Sequence, residues 1–121
     1  MGKAALGLEE LVMSIYDRME SKLKDIEAKN LQKVDDPEKL RAAIAKALEE
    51  VKKGREEMME LLESGSADLA TIEQKINETL ERAKQYLGKD YTGLRTAKAT
   101  FSRCVNMYKK KVWPEIEKAV A

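Results

Sequence analysis

The chain has 121 residues, 43% hydrophobic and 37% charged, with a formal net charge of +1. That length suits one domain with one core. No apolar run is long enough to span a membrane as a helix, and 6 glycines and 2 prolines are too few for a turn-rich sheet protein. Histidine is absent and Cys104 is the one cysteine, which excludes an internal disulfide, Ser-His and Cys-His nucleophile pairs, the Glu-x-x-His ligands of di-iron bundles and the usual zinc sites.

Residues 1–6 hold neither the apolar run of a signal peptide nor the Ser or Thr at position 6 used in N-myristoylation, so a cytoplasmic location is expected. Leu8, Leu11, Val12, Ile15, Met19, Leu23 and Ile26 then recur at three- and four-residue steps, which predicts an amphipathic helix over about residues 8–33. Val34-Asp35-Asp36-Pro37 stops it. Asp36 can accept a bond from a free backbone N–H of the next helix, and Pro37 suits a first helical position, where no N–H is needed.

The second helix is predicted over 37–63, on the stripe Leu40, Ile44, Ala47, Leu48, Val51, Met58, Leu61 and Leu62. Gly54 falls inside it, either admitting a neighbour closely or acting as a hinge; a mid-helix glycine costs about 1 kcal/mol relative to alanine. Ser64-Gly65-Ser66 makes a turn in which Gly65 suits a left-handed helix terminus and Ser66 the next cap, with Asp68 at the positive end of the following dipole. The third helix carries Leu69, Ile72, Ile76, Leu80, Ala83 and Leu87 and ends at Gly88.

The fourth begins after Asp90 or Thr92 and carries Leu94, Ala97, Phe101, Cys104, Val105, Tyr108 and Val112. Pro114 cannot continue the hydrogen-bond ladder, so a kink or restart is expected at Trp113-Pro114. Short polar connections make consecutive helices antiparallel neighbours. The expected fold is therefore all-α: a single domain over residues 1–121, an antiparallel up-down four-helix bundle with its last helix kinked near Pro114.

Charge is unevenly placed. Residues 82–121 hold ten basic residues against three acids, a net +7, whereas residues 1–81 hold thirteen against nineteen, a net −6. On the last helix, Arg95, Lys98, Ser102, Arg103, Asn106, Lys109, Lys110 and Trp113 project away from the stripe centred near Phe101 and Tyr108, and no acid occurs between Asp90 and Glu115. Arg95, Lys98, Arg103, Asn106, Lys109, Lys110 and Trp113 are the candidate partner-binding residues. The same face could instead be solvated, its charge offset by neighbouring acidic helices. Trp113 reads either as an exposed anchor or as a cap packed over the end of the bundle.

Other residues carry weaker signals. Met13 and Met59 project toward the margins of their stripes, and Tyr16, Tyr86, Tyr91 and Tyr108 read as amphipathic residues at core edges. Arg55 lies within the apolar arc of the second helix, either snorkelling to water or anchoring an anion. Cys104 is expected to be buried. Pairs such as Glu9-Glu10, Glu49-Glu50 and Glu56-Glu57 point roughly 100° apart on a helix and build no shared acid–base site.

No Gly-rich phosphate loop, calcium loop or zinc spacing is present, so neither cofactor nor metal is expected. The composition points to a non-enzymatic protein-interaction module, an adaptor, regulator or assembly factor, that docks an acidic or mixed protein through the basic face of its last helix. The alternative is direct binding of nucleic acid or an anionic membrane surface through that face. A homodimer is a further expectation, because helices this long with Met-bearing margins can pair.

Overall fold

The computed structural model describes residues 2–120, with side chains from residue 7 onward. The reading of residues 1–6 as neither signal peptide nor acylation site lies outside the described side chains. All regular structure among the described residues is helical: α1 (Gly2–Asn30), α2 (Pro37–Glu63), α3 (Leu69–Lys84), α4 (Lys89–Thr92) and α5 (Ala97–Val120), with a 3-10 turn at Gln85–Leu87. Among the described residues, no helix is long and apolar enough to cross a membrane.

α1 ends at Asn30, three residues before the predicted end at residue 33. The Asn30 side chain donates to the Ile26 carbonyl at 2.8 Å, and the chain turns there, with the Lys33 N–H bonded to Asn30 O at 2.9 Å. A short amide that bonds the preceding turn competes with helix continuation. α2 has the bounds its sequence predicts. The Asp36 carboxylate accepts from the Lys39 N–H at 3.2 Å, and Pro37 takes the first position.

The cap of α3 is Asp68, not Ser66. The Asp68 carboxylate accepts from the Thr71 N–H at 2.8 Å, while Ser64 and Ser66 bond one another at 3.1 Å inside the turn. Gly65 has φ +75°, the left-handed geometry expected of it.

The segment after α3 departs furthest from expectation. Gly88 has an ordinary φ of −70°, and the left-handed glycine is Gly93, φ +75°, which closes α4. Thr92 is buried. Its hydroxyl bonds the carbonyls of Leu87 (3.2 Å) and Gly88 (3.1 Å) and accepts from the Leu94 N–H (3.2 Å). One threonine thus holds a compact turn where a longer helix was expected, and α5 starts only at Ala97. From there α5 is assigned as helix through Pro114 to Val120, which brings Ile116 into the core.

α1 packs against α2 and α5, α2 also against α3, and α3 also against α5, while α4 rests on α2. The buried side chains form one contiguous cluster that includes Ile15, Met19 and Leu23 of α1, Leu40, Ile44 and Met58 of α2, Ile72 and Ile76 of α3, and Phe101 and Val105 of α5. Each large aliphatic buried this way contributes about 1.5–3 kcal/mol.

At the meeting of α1, α2 and α3, the cluster contains a polar node. Gly54 is buried inside an unbroken α2, and a Cβ placed on it would lie 2.8 Å from Thr79 Cγ2. Glycine is there because α3 approaches too closely for a side chain; the residue is not a hinge. Tyr16 lies in the same node, fully buried rather than at a core edge, and its hydroxyl has no hydrogen-bond partner among the described residues.

Candidate interaction surface on the last helix

Ala97, Phe101, Val105 and Ile116 turn one side of α5 into the core, and Tyr108 and Val112 are half-buried beside them. A helix whose inner face is set in this way presents the intervening positions outward. Lys98, Arg103, Asn106, Lys110 and Lys111 are exposed on α5, and Arg95 is exposed just before it. Asn106 donates to the Ser102 hydroxyl at 3.3 Å, a bond within the helix.

Among the described residues, Arg95, Lys98, Arg103, Lys110 and Lys111 form no ion pair, although ten pairs occur elsewhere. Lys109 differs. Its ammonium lies 3.4 Å from Glu73 and 3.0 Å from the Asn77 side-chain oxygen, both on α3, and its side chain is 15% exposed. Lys109 therefore joins α5 to α3 and is not part of the free basic ridge. Trp113 is half-buried and packs against the core cluster, so only part of its ring is open to solvent.

Sequence reasoning overlooked Met107. It is 67% exposed, on the same turns as Arg103 and Lys110. The signal was available, because position 107 lies opposite the Phe101–Val105 stripe at about 100° per residue. An exposed methionine between cations adds a flexible apolar contact to an otherwise charged surface.

The remaining candidates are occupied by internal contacts. Arg55 is held by α1, with Asp17 at 2.7 Å and Glu20 at 3.6 Å, and so has carboxylates for partners rather than an open anion site. Arg18 stacks over the Tyr108 ring at 4.6 Å. Cys104 is half-buried rather than buried, and lines a cavity of about 190 Å³ with Arg18, Ser21, Lys22 and Asp25.

Two of the charged groups lining that cavity, Lys22 and Asp25, pair with each other. Lys22 bonds Asp25 at 3.1 Å and, with Lys29 adding to it, holds the Asp25 carboxyl below the usual carboxylate range. Burial pushes the Tyr16 phenol up to about 12. No group of three or more metal-ligating side chains occurs among the described residues.

Comparison with protein-family models, with curated proteins and with solved structures found no match to this chain.

Proposed function

We propose that this chain is a non-enzymatic interaction module that docks an acidic or mixed protein surface on the α5 ridge of Lys98, Arg103, Asn106 and Lys110. Arg95 extends the ridge at its start, Met107 supplies an apolar contact, and the open edge of Trp113 lies at its end. The observation that carries this reading is that cations along α5 have no carboxylate partner among the described residues, whereas Lys109, one residue from Lys110, has one. Charges left unpaired on a packed helix cost little in water and remain available to steer an oppositely charged surface.

The framework behind the ridge is read as an up-down antiparallel bundle of α1, α2, α3 and α5. Its support is the pattern of cross-helix partners. On α5, Tyr108 lines a hollow with Ser14, Asp17, Arg18 and Ser21 while Cys104 lines one with Arg18, Ser21, Lys22 and Asp25, a shift toward later α1 residues that fits helices running in opposite senses. A bend in α5 belongs to the same reading, since Pro114 has no N–H to give the Lys110 carbonyl.

The test is recovery of protein partners at about 150 mM salt, where exposed charge is already screened beyond about 8 Å. The combined variant Lys98→Glu, Arg103→Glu, Lys110→Glu is expected to lose the bound proteins at unchanged helicity, and Trp113→Ala to weaken recovery. Equal recovery by the reversed variant would remove the α5 ridge from the account. Tight capture of duplex DNA or anionic vesicles at about 50 mM salt, falling steeply as salt rises, would replace the protein partner with a polyanion.

A further inference from the structure

We propose that the α5 ridge accepts the outward face of α2 from a second copy of this chain, so that the protein associates with itself in an open, salt-sensitive series. The proposal rests on the α5 ridge being a docking surface and names its occupant.

Three observations carry it. The first is charge. The last two turns of α2 carry Glu56, Glu57, Glu60 and Glu63 with no basic residue after Arg55, and Arg55 is turned toward α1. Glu57 pairs with Arg82 of α3, but Glu56, Glu60 and Glu63 are exposed and form no ion pair among the described residues. One helix thus shows unpaired acids, and another shows unpaired bases.

The second is spacing. Glu56, Glu60 and Glu63 stand at i, i+4 and i+7, and so do Arg103, Met107 and Lys110. Seven residues of helix rise about 10 Å and return to nearly the same face. Laid side by side in either direction, the outer acids of one ridge fall opposite the outer bases of the other. Met107 then meets the stem of Glu60, with half-buried Met59 alongside.

The third is placement. α2 and α5 each pack against both α1 and α3, which sets them across the molecule from one another. A copy bound on α5 leaves its own α5 free, and the first copy keeps its α2 free. Such a heterologous contact does not close at two copies. A two-fold pairing of α5 with α5 would instead set Arg103 and Lys110 against like charges, which disfavours a symmetric dimer through this face.

Exposed ion pairs are individually weak and screened by salt, so association is expected at hundreds of micromolar chain in about 20 mM salt and not in about 0.5 M. Sedimentation equilibrium of the whole chain reads it. At low salt the average mass should rise with concentration past that of a dimer without a plateau, and at high salt it should stay at the monomer.

Arg103→Glu with Lys110→Glu, and separately Glu56→Lys with Glu63→Lys, should each remain monomeric at low salt. An equimolar mixture of the two variants should associate again, because each supplies the ridge the other has lost. Glu56→Gln with Glu63→Gln gives a milder loss that introduces no new repulsion, and circular dichroism checks that each variant keeps its helices. A monomer at every low-salt concentration, a plateau at the dimer, or a mixture that fails to associate would overturn the proposal. A separate acidic protein lost on reversing α5 and kept on reversing α2 would retain the docking ridge while removing the second copy as its occupant.

Discussion

Adding one methyl group at position 54 should destabilise this protein, against the usual benefit of replacing a helical glycine by alanine. Alanine favours helix by about 1 kcal/mol, but forcing extra volume against a packed neighbour costs about 1–3 kcal/mol. Here the neighbour is Thr79, whose Cγ2 lies 2.8 Å and Cβ 2.9 Å from the added carbon. Gly54→Ala is therefore expected to lower the urea midpoint. Gly54→Ala with Thr79→Ala should lose less than the sum of the single changes, because the two residues share one contact.

Tyr16, in the same node, links stability to pH. Its folded pKa is raised from 10.0 to about 12 by burial, so the folded state holds the phenolic proton more tightly than the unfolded chain does. That stabilisation is complete below pH 10 and is lost as pH rises toward 12, a swing of about 2–3 kcal/mol. Unfolding at pH 9 and at pH 11.5 should differ more for the wild type than for Tyr16→Phe. At neutral pH, Tyr16→Phe should be neutral or slightly stabilising, since it removes a buried hydroxyl that has no partner among the described residues. An alkaline response unchanged in Tyr16→Phe would show that another group governs it.

Helix boundaries were legible where a cap and a stop signal occur together. Asp36-Pro37 marks the start of α2 without reference to any other part of the chain, because both residues act on their own helix. Asp36→Ala should cost about 1 kcal/mol, read as a lower thermal midpoint at pH 7. An unchanged midpoint would mean that the Lys39 N–H is equally well satisfied by water. The end of α1 and the start of α5 were less legible. The stop signal at residues 34–37 lies past Asn30 and apolar periodicity begins before Ala97, and side-chain bonds override these signals at both places. Asn30 folds back on Ile26, and buried Thr92 gathers the Leu87 and Gly88 carbonyls and the Leu94 N–H. Position along the chain does not say whether a threonine will be buried, and burial gives those bonds their weight.

Packing among the helices separates two adjacent lysines. Lys109 and Lys110 look equivalent as basic residues on one helix, yet one meets Glu73 and Asn77 of α3 and the other meets solvent. Lys109→Glu should cost about 1 kcal/mol, because it sets a carboxylate beside Glu73. Lys110→Glu should leave stability within about 0.5 kcal/mol while weakening partner capture. Equal thermal midpoints for the two variants would show that the α3–α5 pair contributes nothing.

The order of amino acids was enough to establish an all-helical chain with four apolar stripes, the bounds of α2, and a net positive end. These depend on periodicity, capping and charge count, which are local properties of the chain. The packed structure was needed to learn that Gly54 receives Thr79, that Tyr16 is enclosed, that Lys109 is neutralised, and that Met107 stands among unpaired cations. Each of these depends on which side chain a second helix brings alongside, and contacts made across the core leave no periodic trace in the sequence of either helix.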